Sequence, residues 1–448
     1  MAHYDVIIFG AGAPGEHCAA ELAKGGRRIA LVERELVGGE CSYWACMPSK
    51  TLLRPGEALM DAHRAPGAAE AICRDLDVES ALAWRDYMVS DYDDSGAVKW
   101  AGEKGIDVLR GEGRIVAPGK MQVGDETHTA ADIVIATGSD PVIPPIDGLR
   151  ELEGVWTNRE ATGFKADELP RRLLVLGGGP VGVEMSQALR RMGSSIALVE
   201  GSEHVLAKEP RPLGEALGEV LAAEGIELHL GQRASRARRE DDDYVLEFPD
   251  GNVLRGDRLL VATGRKPRIE GIGLENAGIE PGKRGIEVDA RMSAGDGLWA
   301  IGDVTGIWPL TYVGKYQGRV AAANILGHRA EANYEAVPRV VFTDPQAAAV
   351  GEATGEVTVT ASLDSVPRTS TYYREYQGKG FLTLVSDGER LTGAYALGPE
   401  AGEWLGQATL AIRAQVPIPV LKDTIQPFPT FSEVYLYAMQ ELTAAAQA

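Results

Sequence analysis

The chain has 448 residues, so two or three domains are expected, each large enough to bury its own hydrophobic core. Its four cysteines are too few for a secreted disulfide scaffold, and its formal net charge of −20, without a basic run, argues against nucleic acid as a partner. We expect no signal peptide before the first apolar strand, and no apolar run reaches the ~18 residues of a membrane span. We therefore expect a soluble cytoplasmic protein with no membrane partner.

The first motif is a glycine-rich turn near the start of the chain. An apolar strand leads into Gly10, Gly12 and Gly15 in G-x-G-x-x-G spacing, and a helix and a second strand ending in Glu33 follow. Such glycines allow a tight turn and a close approach of the backbone to a pyrophosphate at the helix N-terminus. An acid at the end of the second strand accepts hydrogen bonds from ribose hydroxyls.

The same pattern recurs 167 residues later, with Gly177 standing where Gly10 stands in the first motif. It continues with Gly179, Gly182, a helix, and a strand ending in Glu200. Two glycine turns without ligands are the alternative interpretation, but the agreement of four key positions favours two nucleotide-binding modules.

Each module also closes with an apolar strand and an Ala-Thr-Gly turn. This turn contains Thr137 and Gly138 in the first module and Gly264 in the second. Two such sites, with the thiols of Cys41 and Cys46 beside the first, suggest that electrons pass from a nicotinamide through a flavin to sulfur.

On these motifs the chain resembles, over essentially its full length, the pyridine nucleotide-disulfide oxidoreductases of the dihydrolipoamide dehydrogenase, glutathione reductase and mercuric reductase type. The resemblance implies an α/β fold with two Rossmann-like domains, one for FAD and one for NAD(P), and a C-terminal α+β domain that forms a homodimer. Asp303 looks like the family residue that meets the ribityl and pyrophosphate part of FAD. The expected segments are 1–147 and 265–335 for FAD, 148–264 for NAD(P), and 336–448 for dimerisation.

The two cysteines define the expected redox centre. Proline is favoured in a first helical turn, so Pro48 predicts that Cys46 begins a helix, whose N-terminus stabilises a thiolate. Cys41 is expected on the preceding glycine loop, close enough to bridge Cys46. Fortuitous buried thiols or a metal site are the alternatives, but no second ligand pair completes a zinc site and no metal is expected. In the family the first cysteine faces the substrate and the second the flavin, which assigns these roles to Cys41 and Cys46.

Lys50 and two glutamates complete the expected hydride-transfer site. Lys50 follows Cys46 by one helical turn and resembles the family lysine near the flavin, with Glu184 as its partner. A surface lysine and a helix acid are the alternative. Glu200 can accept hydrogen bonds from both adenosine ribose hydroxyls and repels a 2′-phosphate, which favours NADH over NADPH. Because basic residues follow Glu200, NADPH remains the alternative coenzyme.

The C-terminal catalytic motif of the family is incomplete. Dihydrolipoamide dehydrogenase and glutathione reductase have His-Pro-Thr followed by Glu, and the histidine shuttles the proton of the substrate thiol. Pro429, Thr430 and Glu433 match this pattern, but Phe428 replaces the histidine and no histidine follows His328. A general base contributes ~10²- to 10⁴-fold in rate, so efficient dithiol oxidation is not expected. Glu433 is left as a structural residue or as a contact for another partner.

Three interpretations follow for the activity. The first is an FAD-dependent NAD(P)H oxidoreductase that passes electrons through Cys46 and Cys41 to a small-molecule acceptor, either quinone-like or an unusual disulfide. The second is a dihydrolipoamide dehydrogenase or low-molecular-weight disulfide reductase in which Tyr312 or water replaces the base, since mercuric reductases also have tyrosine at this position. The third is a flavin-binding redox sensor. For Tyr43 and Tyr312, the alternative to a role at the redox site is simple packing.

Overall fold

The computed structural model describes residues 2–372 and 380–445 and divides into two compact units. Within these residues, no helix has both the length and the apolar composition that a membrane crossing requires. Unit 1 consists of Met1–Pro48, Ala83–Val142 and Gly264–Asn333. Unit 2 consists of Ser49–Leu82, Ile143–Thr263 and Tyr334–Ala448.

The strands of the described residues are numbered in chain order. They are β1 His3–Phe9, β2 Ile29–Glu33, β3 Ile106–Arg110, β4 Gly113–Ala117, β5 Lys120–Val123, β6 Glu126–Ile135, β7 Ser139–Pro141, β8 Arg172–Leu176, β9 Ser195–Glu200, β10 Glu227–Leu230, β11 Arg236–Glu240, β12 Asp243–Glu247, β13 Val253–Gly256, β14 Arg258–Val261, β15 Arg265–Pro267, β16 Ser293–Gly295, β17 Leu298–Ala300, β18 Arg339–Val341, β19 Gln346–Gly351, β20 Val357–Ser362, β21 Phe381–Ser386 and β22 Leu391–Gly398.

The α-helices of the same residues are numbered in the same way. They are α1 Ala13–Lys24, α2 Gly39–Tyr43, α3 Cys46–Arg64, α4 Val78–Met88, α5 Ser95–Glu103, α6 Asn158–Gly163, α7 Pro180–Arg191, α8 Arg211–Ala223, α9 Thr311–Ile325, α10 Pro367–Tyr372, α11 Ala401–Trp404, α12 Gly406–Arg413, α13 Ile418–Lys422 and α14 Val434–Ala445.

Unit 1 is built on a sheet with the order β16-β17-β6-β1-β2-β3. Strands β17, β6, β1, β2 and β3 run parallel to one another, and β16 is antiparallel to β17. The central strands are almost wholly buried, as their continuous apolar runs require. Helix α1 packs closely against α9. A Cβ atom at Gly314 of α9 would lie 2.6 Å from the Pro14 ring, so this approach depends on glycine.

Unit 2 contains the second glycine module and the C-terminal residues. Its parallel sheet has the order β10-β9-β8-β14, and an antiparallel sheet has the order β18-β19-β22-β21-β20. The two glycine turns thus lie in matching β1-α1-β2 and β8-α7-β9 units. The predicted fold class, two Rossmann-like modules and a C-terminal α+β region, is confirmed. The predicted domain boundaries stay a prediction.

A cluster of buried charges joins four segments within unit 2. The Arg191 guanidinium on α7 lies 2.7 Å from Glu224 and 2.9 Å from Asp344, and Arg64 on α3 also lies 2.9 Å from Asp344. The Gln187 side chain donates to the carbonyl of Asp344 at 2.9 Å and accepts from its N–H at 2.8 Å. Buried charges need such partners, so this cluster fixes α7 against the loop after β18.

Candidate active site

The first glycine turn is closely packed at two of its three glycines. Gly10 has φ +113°, and a Cβ there would lie 2.3 Å from the carbonyl oxygen of Ala136. A Cβ at Gly15 would lie 2.0 Å from the Gly10 oxygen, whereas at Gly12 the nearest described heavy atom would be 3.9 Å away. Space is therefore left where a pyrophosphate approaches the backbone of such a motif.

The second glycine turn repeats this geometry. Gly177 has φ +107°, and a Cβ there would lie 2.5 Å from the Ala262 oxygen. A Cβ at Gly182 would lie 1.9 Å from the Gly177 oxygen, while one at Gly179 would meet no described heavy atom within 4 Å. Both turns therefore leave space beside their middle glycine, where a dinucleotide would approach the backbone.

The two strand-ending acids also make equivalent hydrogen bonds. Glu33 accepts from the N–H of Ala11 at 2.9 Å and from the N–H two residues after itself at 2.8 Å. Glu200 accepts from the N–H of Gly178 at 2.7 Å and from the N–H two residues after itself at 2.8 Å. Because a carboxylate has about four lone-pair sites, each keeps acceptor capacity for ribose hydroxyls.

Asp303 belongs to a polar network that the sequence did not reveal. It lies in the 3-10 turn Gly302–Thr305 and accepts a 2.6 Å hydrogen bond from the hydroxyl of Ser139. The Arg265 guanidinium donates to the same hydroxyl at 2.8 Å. Ser139 lies on β7 and Arg265 on β15, and these strands form an antiparallel two-stranded ribbon in which Ser139 pairs with Pro267 and Arg265 with Pro141. The network orients the carboxylate, while its contact with FAD remains a prediction.

The two Ala-Thr-Gly turns leave space beside their glycines. The Thr137 hydroxyl donates to the Arg268 carbonyl at 2.7 Å. Gly138 and Gly264 have φ +76° and +134°, which favour glycine, and a Cβ at either would meet no described heavy atom within 4 Å. The backbone at both glycines is thus open to a ligand.

Cys41 and Cys46 are joined by a disulfide, with their Cα atoms 4.7 Å apart. Cys46 is the first residue of α3, as predicted, but the expected loop around Cys41 is wrong, because Gly39–Tyr43 forms the one-turn helix α2. Gly38, at φ +116°, turns the chain into that helix. The described residues contain no group of three or more side chains suited to a metal ion.

A hydroxyl group lies beside the inner sulfur. The Cys46 Sγ atom is 3.3 Å from the Oγ1 atom of Thr311, the first residue of α9, and since a disulfide sulfur has no hydrogen, the hydroxyl is the donor. A hydrogen bond donated to sulfur favours the thiolate when the disulfide is reduced. No local signal marked Thr311, because it lies 265 residues further along the chain.

Aromatic side chains pack beside the disulfide in unit 1. The ring centroids of Tyr43 and Trp44 are 5.7 Å apart, and Tyr92 stacks on Trp44 at 6.2 Å. The buried Tyr43 hydroxyl donates to the Val37 carbonyl at 3.1 Å. Burial raises the pKa of Tyr43 to about 12, so its hydroxyl keeps its proton at neutral pH. These contacts favour the packing role for Tyr43.

Lys50 and Glu184, which the sequence pairs, form an ion pair in unit 2 with a distance of 2.7 Å between Nζ and Oε2. Glu184 is buried and also accepts from the N–H of Phe342 at 2.9 Å. The Lys50 ammonium lies 4.7 Å from the centroid of the Phe342 ring. Since Lys50 shares helix α3 with Cys46, its charge is held one turn from the disulfide end of that helix.

The remaining predicted site residues occupy contrasting positions. Glu433 is buried and accepts from the Thr430 N–H at 3.2 Å, forming the capping box of the 3-10 turn Phe431–Glu433. This contact favours the structural alternative for Glu433. Phe428 is 72% exposed, and Tyr312, the second residue of α9, is 45% exposed.

One acid near the first glycine turn was missed by the sequence. Glu16, in the first turn of α1, has its pKa raised to about 7, chiefly because burial disfavours the charged form. The Lys315 ammonium opposes this rise and the Glu33 carboxylate adds to it. Glu16 is therefore partly protonated near neutral pH.

Comparison with known proteins adds family matches along most of the chain. The model described as pyridine nucleotide-disulphide oxidoreductase matches residues 4–318, and the model of its dimerisation domain matches residues 337–439. A dihydrolipoyl dehydrogenase from Thermus scotoductus is 34% identical over 456 residues, covering 99% of this chain and 98% of the relative. A mercuric reductase from Acidithiobacillus ferrooxidans is 33% identical, covering 98% of this chain and 82% of the relative.

Two solved structures superpose closely on this chain. The HOCl-induced flavoprotein disulfide reductase RclA from Escherichia coli, in a Cu(II) complex, superposes with a TM-score of 0.87 at 27% identity, covering 98% of this chain and 100% of the other. LpdA from Mycobacterium tuberculosis superposes with a TM-score of 0.85 at 25% identity, covering 99% of this chain and 100% of the other.

Proposed function

This chain belongs to the pyridine nucleotide-disulphide oxidoreductase family, and from that premise we propose that it is an FAD-dependent NAD(P)H oxidoreductase whose acceptor needs no histidine base. When bound, FAD supplies the means to take a hydride from the nicotinamide and to pass two electrons to a disulfide. Glu200 favours NADH as the donor. We further propose that residues 337–439, the dimerisation-domain match, form a homodimer.

Phe428 is the observation that carries this proposal. It stands where related enzymes have the proton-shuttling histidine, and the chain has no histidine after His328. Oxidation of an ordinary dithiol needs a base to remove its thiol proton, a step in which a general base contributes ~10²- to 10⁴-fold. A quinone needs no proton removed, since two electrons and two protons convert it to the hydroquinone. The proposed acceptor is therefore quinone-like or a disulfide with an acidic leaving thiol.

The side chains around the disulfide support an electron route through sulfur. The hydroxyl of Thr311 and the N-terminus of α3 both favour a thiolate at Cys46. The Lys50 ammonium is held by Glu184 one helical turn further along α3. In the proposed route, Cys41 is the sulfur that meets the acceptor.

Steady-state oxidation of NADH by the flavin-loaded protein tests the acceptor. We expect turnover with a benzoquinone to exceed turnover with lipoamide or glutathione disulfide. Cys41→Ser should abolish turnover with the preferred acceptor, whereas Cys73→Ser, which alters an exposed free cysteine, should not. Rapid lipoamide reduction by the natural chain would contradict the proposal, and full quinone turnover by Cys41→Ser would exclude the route through sulfur.

Restoring the missing base gives a complementary test. Phe428→His should raise kcat/KM for lipoamide by about 10-fold or more while leaving quinone turnover unchanged. Phe428→Leu is the matched control, because it alters the same exposed position without adding a base. Equal effects of both variants would show that the absent histidine does not limit dithiol chemistry.

A second candidate is a dihydrolipoyl dehydrogenase with a substitute base. The 34% identity to such an enzyme over 98% of its length favours it, as does the position of Tyr312 next to Thr311 at the start of α9. This candidate predicts lipoamide turnover that Tyr312→Phe lowers by about 10-fold or more. Unchanged turnover in that variant would exclude tyrosine as the base.

A further inference from the structure

Arg233 lies beside the end of the second strand of the second glycine module. The N–H of Gln232 donates to the Glu200 carbonyl at 3.1 Å, so the segment after β10 runs along the end of β9. A Cβ atom at Gly201 would lie 2.8 Å from Nε and 3.2 Å from Cγ of Arg233. The arginine side chain therefore lies against Gly201, directly after the acid that ends the strand.

The backbone of Gly201 does not itself require glycine, but its lack of a side chain leaves room for Arg233. Its φ lies outside the positive range that requires glycine. A side chain at residue 201 would therefore have to displace the exposed Arg233 side chain from its position beside Glu200. The local sequence around Glu200 offered no arginine, because Arg233 approaches from a different strand connection.

The guanidinium of Arg233 makes no polar contact within the part of the chain that the structure describes. The residue is exposed, and within residues 2–372 and 380–445 it makes no hydrogen bond or ion pair. The hydroxyl of the neighbouring Ser202 likewise has no hydrogen-bond partner there. Glu200, in contrast, is held by two backbone N–H groups that offset part of its negative charge.

We propose that Arg233 and Ser202 form a subsite for the 2′-phosphate of NADPH, so that this chain takes NADPH as well as NADH. The adenosine ribose of a Rossmann-type module lies at the end of the second strand, and a nearby arginine there accommodates a 2′-phosphate. The planar guanidinium suits phosphate, and a serine hydroxyl can donate to it. Glu200 and the nearby Glu203 oppose the phosphate, which is why NADH remains a substrate. The inference rests on the proposed use of a nicotinamide coenzyme.

Coenzyme kinetics of the flavin-loaded protein provide the first test. We expect Arg233→Gln to lower kcat/KM for NADPH by about 10- to 100-fold, through KM, while NADH changes by less than about 2-fold. Arg236→Gln is the matched control, since it removes the same charge three residues away, where the side chain lies 3.3 Å from Asp147. The control should affect both coenzymes equally.

A second variant tests the geometry without removing the charge. Gly201→Ala places a carbon where the Arg233 stem lies, so it should move the guanidinium and reduce NADPH use selectively. Binding of adenosine 2′,5′-bisphosphate and of 5′-AMP, measured by calorimetry, gives a readout that needs no turnover. Arg233→Gln should weaken only the bisphosphate, by about 10- to 100-fold.

The outcomes separate this inference from the proposed function. If the natural chain uses NADH but not NADPH, the subsite is wrong and the proposed function stands. If it oxidises neither coenzyme, the proposed function fails, and the adenosine fragments still decide whether the subsite exists. Equal losses for both coenzymes or both fragments in Arg233→Gln would overturn the subsite.

Discussion

The two glycine modules share their turns but differ in the charges around them. Both hold three glycines in the same packing and an acid that accepts two backbone hydrogen bonds. In the first module Arg34 directly follows the acid, whereas in the second Gly201 follows it and the arginine comes from another segment. The comparison teaches that the motif sets the backbone path, while the charge beside the acid can come either from the next residue or from another segment of the chain.

The first helices of the two modules also differ in the surroundings of an acidic side chain. Glu16 on α1 is largely desolvated and has a raised pKa, with Lys315 as the opposing charge. Glu184 on α7 is also buried, but it forms a 2.7 Å ion pair with Lys50. The acids lie one residue apart in register on two equivalent helices, and Glu16 is partly neutral while Glu184 is ionically paired.

The largest effect should come from breaking either turn at its third glycine. Gly15→Ala and Gly182→Ala place a Cβ about 2 Å from a backbone oxygen, so each should destabilise its own module by about 3 kcal/mol or more. We expect Gly15→Ala to lose bound flavin and Gly182→Ala to keep it while losing reduction by NADH. Flavin absorbance per chain and the reduction rate measure this. Loss of flavin from both variants would show that the modules do not act separately.

The next effect concerns the pH dependence of stability through Glu16. Below pH ~4 its carboxyl is protonated in both the folded and the unfolded chain, so pH has no effect there. Between pH ~4.5 and ~7 the folded chain holds a proton that the unfolded chain has lost, so stability falls as pH rises. Above pH ~7 Glu16 is ionised in both the folded and the unfolded chain, so the loss of folding stability no longer changes with pH. Glu16→Gln should therefore be more stable than the natural chain by about 2 to 3 kcal/mol at pH 8, and similar to it at pH 4.

Urea unfolding of the flavin-containing protein at several pH values measures this difference. Glu21→Gln is the matched control, because Glu21 lies on the same helix in an exposed pair with Lys24. A Glu16→Gln variant whose advantage does not change with pH would show that Glu16 ionises normally in the folded chain.

A smaller effect is expected at the paired acid of the second module. Glu184→Gln keeps an acceptor for the Phe342 N–H but removes the charge that holds Lys50. Losing a charge-assisted hydrogen bond should slow reduction of the flavin by NADH by about 10-fold. Anaerobic stopped-flow measurement tests this, with Glu57→Gln, from an exposed pair with Arg54 on α3, as the control. Equal rates in the two variants would remove Glu184 from the hydride-transfer site.

The smallest effect should appear at the sulfur end of unit 1. Thr311→Val removes the hydroxyl beside Cys46 with little change of shape, at a cost of about 1 kcal/mol to the thiolate. The pKa of the reduced Cys46 should rise by less than about one unit, as read from its thiolate absorbance against pH. Thr311→Ser keeps the hydroxyl and should behave as the natural chain. A larger shift in Thr311→Ser than in Thr311→Val would contradict this role.

Local patterns were enough to predict the features that depend on neighbouring residues. The strand-turn-helix order around both sets of glycines and the helix start at Cys46 follow from spacing and from Pro48, and the structure has them. The turn of helix at Cys41 was not expected, because two glycines before a cysteine favour a loop. Its short length gave no periodic signal that distinguishes a helix from a loop.

Contacts between distant segments could not be predicted from the sequence. The hydroxyl of Thr311 reaches Cys46 from a helix 265 residues away, and the Ser139 contact to Asp303 joins residues 164 positions apart. Such pairs depend on how sheets and helices pack, which no single segment encodes.

Helix α7 has a consequence for chimeric enzymes. Three residues on it reach the segment after β18: Glu184 accepts from the Phe342 N–H, while Gln187 and Arg191 bind Asp344. Exchanging residues 143–263 alone for those of a relative would leave buried charges without their partners, at a cost of about 3 to 5 kcal/mol. A chimera that exchanges the nucleotide specificity of this protein should therefore fold only when the donor sequence also supplies the segment around Asp344. Residues 143–263 and that segment have to be exchanged together.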